Sequence, residues 1–159
     1  MSKAFTSEET DLAEVVAPRA ELPAGTINYV TARGLSLLRD ERAELASKRA
    51  RAEADGDVAA MSVLGARLAQ LDERLASAQL VDHAGGDAVR FGARVTVRNE
   101  DGEERTVRIV GVDEADPARG DVAFTSPIAR ALLGHEIGDE ITLRTPRGTE
   151  VLEIVALDA

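Results

Sequence analysis

Apolar residues recur every three or four positions through the middle of the first half of the chain. The strongest run alternates steps of three and four and comprises Met61, Leu64, Leu68, Leu71, Leu75 and Ala78. That spacing is the buried seam of a coiled coil. A thinner stripe of Leu38, Leu45 and Ala52 recurs every seven residues in the proline-free run 32–54. The pattern therefore predicts two helices, with Thr31 as the N-cap of the first.

A short polar segment, Asp55-Gly56-Asp57, separates the two helices. Glycine permits a tight turn, and Asp57 can cap the helix that follows. So short a connection makes the helices antiparallel, which buries each seam against the other. We therefore predict a coiled-coil hairpin over residues 31–80, with helices of 20–24 residues that are about 30–36 Å long.

The pattern changes to a period of two residues after about residue 81. It predicts five strands, Val89–Val97, Thr106–Val110, Val122–Phe124, Ile141–Leu143 and Glu150–Leu157. Ser126-Pro127 is typical of a helix start, and Gly134 of its end. These signals predict a small β-rich domain over 81–159, so the fold class is α+β.

Residues 1–30 lack a sustained apolar period. Their acidic residues are Glu8, Glu9, Asp11, Glu14 and Glu21, and Pro18 and Pro23 interrupt them. This composition favours a flexible acidic extension. Its apolar end, Ile27–Val30, is expected either to form a short strand or to lead into the first helix.

Composition narrows the range of functions. Only 3% of the 159 residues are aromatic, so the core must consist of Leu, Val, Ile and Ala. The chain has no cysteine, which excludes disulfides and thiol chemistry. No apolar run approaches a membrane span and no secretory signal opens the chain, so a cytoplasmic location is expected. A net charge of −10 argues against binding of free nucleic acid by the whole chain, although a local basic stripe can still steer a partner.

Several blocks of the second half resemble the GreA/GreB family of bacterial transcription elongation factors. They are Phe91–Val95, Arg108–Asp116, Ser126–Gly134, Gly138-Asp139 and Thr145–Gly148, in the order and spacing of that family. In the first half, Tyr29–Gly34 and Gly56-Asp57 also match. The resemblance covers about residues 28–158.

This resemblance implies an N-terminal coiled-coil hairpin and an FKBP-like C-terminal domain. It implies that the C-terminal domain binds RNA polymerase at the rim of the secondary channel. The hairpin would enter the channel, where its acidic tip helps to hold a Mg²⁺ ion and stimulates cleavage of the nascent RNA. The chain would then be a monomeric accessory factor, not an enzyme, with no cofactor of its own.

The resemblance also assigns roles to individual residues. Asp57 would supply a tip carboxylate and share the metal with the polymerase. It is the one member of the family's acidic pair that this sequence keeps, and Asp55 or Glu53, on the other side of the turn, could substitute for the second carboxylate. The polymerase-binding residues would be Asp113, Glu114, Asp116, Ser126, Pro127, Ile128 and Ala129. Lys48, Arg49 and Arg51, with Arg67 and Arg74 on the second helix, would contact RNA. The alternatives are a capping aspartate in an ordinary turn and a solvated helix surface with scattered charges.

The tip departs from the family pattern. Ala60 stands where that pattern has glutamate, Met61 where it has asparagine, and Leu64 where it has tyrosine. Two hypotheses therefore stay open. Either Asp57 with Asp55 still supports cleavage, or the protein binds the polymerase channel without cleavage and regulates or antagonises active Gre factors.

Three other functions are less favoured. A nucleotide-metabolism regulator of the Rnk type would have a much shorter hairpin. A zinc site is disfavoured because His83 and His135 are isolated and cysteine is absent. Prolyl isomerase activity would need an aromatic-lined pocket, and the FKBP-like fold alone does not carry that function.

Overall fold

The computed structural model describes residues 17–82 and 85–158. Its elements in chain order are β1 (Tyr29–Val30), α1 (Ala32–Ala54), α2 (Val58–Ser77), β2 (Gln79–Leu80), β3 (Arg94–Arg98), β4 (Glu104–Val110), β5 (Asp121–Ala123), α3 (Pro127–Leu132), β6 (Glu140–Thr145) and β7 (Gly148–Asp158). Two 3-10 helices, Val112–Glu114 and Pro117–Arg119, lie between β4 and β5. Four acidic residues of the predicted extension, Glu8, Glu9, Asp11 and Glu14, and also His83, fall outside the described residues.

The described residues form two compact units. One comprises residues 17–26 and Ser36–Ser77, and the other comprises Ile27–Leu35 and residues 78–158. Sequence had placed the divisions after residues 30 and 80. The second unit takes in residues 27–35 because β1 pairs with β2 in parallel, Tyr29 beside Gln79 and Val30 beside Leu80.

The first unit is a hairpin of two antiparallel helices, as predicted. Arg42 of α1 donates a hydrogen bond to Asp72 of α2. Nearer the turn, Arg49 packs over Gly65. A later residue of α1 therefore contacts an earlier residue of α2, which shows that the two helices are antiparallel. The hydrogen bond and the charge of Asp72 raise the pKa of Arg42, but this exposed pair contributes little to stability.

The predicted seam is the buried face of the hairpin. Its buried members are Leu38, Ala52, Leu64, Leu68 and Leu71. Close to the turn, Ala52, Ala60 and Leu64 form one cluster, against which Leu45 and Met61 pack. The small side chains of Ala52 and Ala60 thus pack against a leucine, Leu64, between the two helices. In the part of the chain that the structure describes, no helix is long and apolar enough to cross a membrane.

The described end of the predicted extension packs along the hairpin. Arg19 forms an ion pair with Glu41, and Arg74 donates to the backbone carbonyl of Ala20. Arg74 is only 7% exposed. It therefore does not belong to the exposed basic flank on which the sequence had placed it, because its guanidinium is used to bind this segment.

The second unit contains a five-stranded sheet in the order β5-β4-β3-β7-β6. The strands pair antiparallel except for β4 and β5, which are parallel. Helix α3 contacts both edge strands, β5 and β6, so the sheet curls around it. Alternating residues of β3, β4 and β7 form the core under this helix, including Val95, Val97, Val107, Ile109, Leu152 and Ile154.

One predicted strand is shorter than its apolar alternation suggested. Val89–Val97 does not form one strand, since β3 begins at Arg94. The amide of Ala93 donates to the carbonyl of Arg90, and Gly92 adopts φ +87°, so a tight turn precedes the strand. Val89 and Phe91 nevertheless pack with the core, because a turn can bury apolar side chains without a strand ladder.

Candidate functional site

The tip of the hairpin is a tight turn whose geometry follows from its sequence. The amide of Asp57 donates to the carbonyl of Ala52 and that of Gly56 to Glu53, the paired bonds of a Schellman motif. Gly56 takes the left-handed conformation this motif needs, with φ +69°. One residue later, Asp57 Oδ1 accepts the amide of Ala60 at 3.1 Å and caps α2. The turn thus ends one helix and begins the next without a linker.

Both predicted tip carboxylates, Asp55 and Asp57, lie on the exposed surface of this turn. Within residues 17–82 and 85–158, no three His, Cys, Asp or Glu side chains are grouped to hold a metal ion. Two apolar residues, Val58 and Ala59, lie between the turn and Ala60, and Val58 is 75% exposed.

Ala60, at the position where the resemblance implies glutamate, is 5% exposed and packs with Ala52 and Leu64. Leu64, at the position where the resemblance implies tyrosine, is 2% exposed in the same cluster. These departures therefore enlarge the apolar seam at the end of the hairpin. Sequence identified both changes, but only the structure shows that they fill one apolar cluster.

The predicted RNA-contacting residues differ in their surroundings. Lys48 pairs with Glu44 at 3.3 Å, one helical turn away. Arg49 lies over Gly65, and Arg51 is exposed in the last turn of α1. Arg67 donates to Gln70 at 3.4 Å. Of these predicted RNA-contacting residues, the exposed ones are Arg49 and Arg51, near the end of α1.

The predicted acidic turn has an unexpected interior member. Glu114 is 5% exposed, and its carboxylate accepts a hydrogen bond from the Thr31 hydroxyl and one from Arg33 at 3.0 Å. Arg33 also lies 3.7 Å from Asp121, a buried residue that Arg119 approaches to 3.6 Å. Glu114 thus holds the first turn of α1 within the second unit, and its side chain is only 1% exposed. Asp113 is half-buried.

Two other predicted contact residues cap short helices. Asp116 Oδ1 accepts the amide of Ala118 at 3.1 Å, and Ser126 Oγ accepts the amide of Ala129 at 3.3 Å. Ala129 is fully buried, so its side chain supports the core. These contacts fix the positions of Pro117 and Pro127, the first residues of the two helices.

Pro117, Pro127 and Ile128 line one side of a groove of about 580 Å³ in the second unit. The other apolar residues that line it are Val107, Val122, Leu143 and Pro146. The sequence resemblance points to Pro127 and Ile128 as contact residues but not to Val107, Val122, Leu143 or Pro146. Those belong to four separate segments, and only their convergence makes a surface.

His135 is the one histidine in the described ranges. It lies near the end of α3, and its Nδ1 is 3.4 Å from Asp139 Oδ2 in an exposed pair. The same Asp139 oxygen accepts a hydrogen bond from the backbone amide of Glu136 at 2.8 Å, so this carboxylate is held by the loop that contains it.

Comparison with known proteins matches residues 83–159 to the family model described as "Transcription elongation factor, GreA/GreB, C-term". The GreA of Desulfovibrio desulfuricans is 41% identical over 136 residues, covering 77% of this chain and 84% of that protein. The GreA of Hyphomonas neptunium is 46% identical over 97 residues, covering 59% of this chain and 62% of that protein, just under two thirds of its length. Among solved structures, GreA factor homolog 1 (Gfh1) of Thermus thermophilus aligns with a TM-score of 0.43 at 22% identity, covering 84% of this chain and 100% of that one.

Proposed function

Because this chain belongs to the GreA/GreB family of transcription elongation factors, we propose that it binds bacterial RNA polymerase and modulates elongation through the secondary channel. The observation that carries this proposal is the helical hairpin with its compact, exposed turn at Asp55–Asp57. Such a turn adds little width to the pair of helices, which suits entry into a narrow channel. An FKBP-like fold of the second unit belongs to the same proposal and is supported by the sheet that curls around α3.

The apolar groove of the second unit is the proposed docking surface for the rim of the channel. Pro117, Pro127 and Ile128 are held by helix caps and so present a preformed apolar patch. Little ordering entropy is lost when a rigid surface of this kind binds a partner. Asp116, beside Pro117, adds polar character at its edge, whereas Glu114 has no part in docking because it is buried.

At the polymerase active centre, Asp57 is proposed to supply one carboxylate oxygen to a shared Mg²⁺ ion. Its Oδ1 is used as the helix cap, and among the described residues Oδ2 has no hydrogen-bond partner. Mg²⁺ is commonly held by only one or two protein carboxylates, so the polymerase would contribute the others. The metal would activate water for attack on the RNA phosphodiester. Lys48, Arg49 and Arg51 would contact the displaced RNA.

Two substitutions of Asp57 separate its capping role from its proposed metal-binding role. Asp57→Ala removes both the cap and the carboxylate, and it should cost about 1 kcal/mol of stability. Asp57→Ser keeps a good cap and removes only the carboxylate. We expect both variants to lose stimulation of transcript cleavage on backtracked polymerase with Mg²⁺, while only Asp57→Ala melts earlier. Full cleavage activity of Asp57→Ser would refute a role for this carboxylate.

A second function, a channel binder without cleavage activity, is favoured by Ala60. This residue stands in place of the family's glutamate and is packed between the helices. The tip then carries an exposed Val58 and one well-placed carboxylate. A factor of this kind would occupy the channel and compete with active Gre factors.

The cleavage assay distinguishes the two functions. Acceleration of cleavage by the natural protein supports the first, whereas polymerase binding without acceleration, together with slowing of an active Gre factor, supports the second. Ala60→Glu should raise cleavage if its side chain reaches solvent past Ala52, and a melting curve shows whether the helices tolerate it. Failure of the natural protein to bind polymerase would refute both functions.

A further inference from the structure

A groove of about 530 Å³ lies on the second unit, apart from the apolar groove. Its charged residues are three arginines, Arg33, Arg94 and Arg108, and two aspartates, Asp82 and Asp158. Arg33 is already paired with Glu114 and Asp121, so Arg94 and Arg108 are the two arginines of the groove to consider.

Arg94 and Arg108 lie on the outer face of strands β3 and β4, where they form a like-charge pair. Three cross-strand pairs occupy this face. Arg98 donates to Glu104 at 2.7 Å, and the Thr96 and Thr106 hydroxyls are 2.9 Å apart. The third pair sets Arg94 directly beside Arg108. Like charges in register destabilise a strand pair, so this pair departs from the complementarity of its neighbours.

The described carboxylates near this arginine pair, including Asp82 and Asp158 of the same groove, form no ion pair with it. Asp121 is in register with Arg108, but its carboxylate is shared by Arg33 and Arg119. Asp158 is in register with Arg94. Nevertheless, neither Arg94 nor Arg108 takes part in an ion pair with any residue in the described ranges. Arg108 is also half-buried, which makes an uncompensated charge more costly.

We propose that Arg94 and Arg108 bind a phosphate group of a small phosphorylated ligand in this groove. The two residues are cross-strand neighbours that line the same groove, and their guanidinium groups together offer several N–H donors to the oxygens of one phosphate, a ligand for which arginine is favoured. The groove volume lies within the range of small-molecule sites, so the ligand is a compact phosphate ester or diphosphate. Binding places a negative charge between the like charges and so stabilises the strand pair.

The full-length protein tests this proposal by titration with inorganic phosphate and pyrophosphate at constant ionic strength in a chloride buffer. Backbone amide chemical shifts of β3 and β4 should change saturably. The double variant Arg94→Gln with Arg108→Gln should bind at least about tenfold more weakly. Arg98→Gln is the matched control, since it lies on the same face of β3 but is paired with Glu104.

Thermal unfolding gives a second readout, because a ligand that binds only the folded state raises the melting temperature. Pyrophosphate should raise it for the natural protein and Arg98→Gln but not for the double variant. That variant removes a like-charge contact and so should fold without ligand.

A nucleoside diphosphate that binds more tightly than pyrophosphate identifies a nucleotide as the source of the phosphate group, and equal binding identifies the free phosphate. The absence of saturable phosphate binding, equal weakening by Arg98→Gln, or binding of only RNA without terminal phosphates would overturn the proposal.

Discussion

At the scale of single residues, Glu114 is a charged side chain whose burial gives it a structural role within the fold. It belongs to an acidic sequence, Asp113-Glu114-Ala115-Asp116, that resembles a surface turn. In the fold its carboxylate accepts hydrogen bonds from Thr31 and Arg33. A buried carboxylate needs such donors to offset its lost hydration. The network therefore attaches the first turn of α1 to its own unit.

Removal of this carboxylate should destabilise the fold. Glu114→Ala leaves the Thr31 hydroxyl and Arg33 without their acceptor, so the free energy of unfolding should fall by about 2 kcal/mol. Urea denaturation followed by circular dichroism measures the change. Glu104→Ala is the matched control, because it removes a glutamate from an exposed arginine pair and should have a smaller effect. Equal losses in the two variants would contradict the importance of burial.

At the scale of elements, the hairpin turn depends on one glycine and one aspartate. Gly56 closes α1 in the left-handed conformation, and Asp57 caps α2. No atom lies within 4 Å of the position a Cβ would take at Gly56. The requirement for glycine there is therefore conformational, not a matter of space.

Gly56→Ala should reduce the stability of the hairpin by about 1 kcal/mol, the cost of a left-handed conformation for a residue with a Cβ. Gly56→Asn should lose less, because asparagine tolerates that conformation better. The melting temperatures of the three proteins check this order. If alanine and asparagine were equally destabilising, a steric or solvation effect would have to replace the conformational one.

At the scale of the whole molecule, the proposed function needs two separate surfaces, the hairpin tip and the apolar groove. Ile128→Ala shortens a residue that lines the groove and should weaken binding to purified RNA polymerase by about tenfold. Ile137→Ala is its control, since Ile137 is 57% exposed in the same unit but does not line the groove. Binding that falls equally in both variants would exclude the groove as the docking surface. The tip variant Asp57→Ser should bind polymerase normally.

Much of the fold follows from local sequence patterns. The seven-residue spacing predicted both helices, Asp55-Gly56-Asp57 predicted the turn between them, and alternation predicted the strands of the sheet. The sequence also located the family motifs and the alanine at position 60. Each of these features depends on residues close together in the chain, where periodicity, capping and turn preferences act directly.

Tertiary structure alone decided which side chains meet across long separations. It buried Glu114 against Thr31, used Arg74 to bind the carbonyl of Ala20, and added residues 27–35 to the β-rich unit. It also set Arg94 beside Arg108, because a strand pair fixes its neighbours through register. Local patterns specify which face of an element is apolar. They do not specify which distant polar groups must satisfy one another once that face is buried.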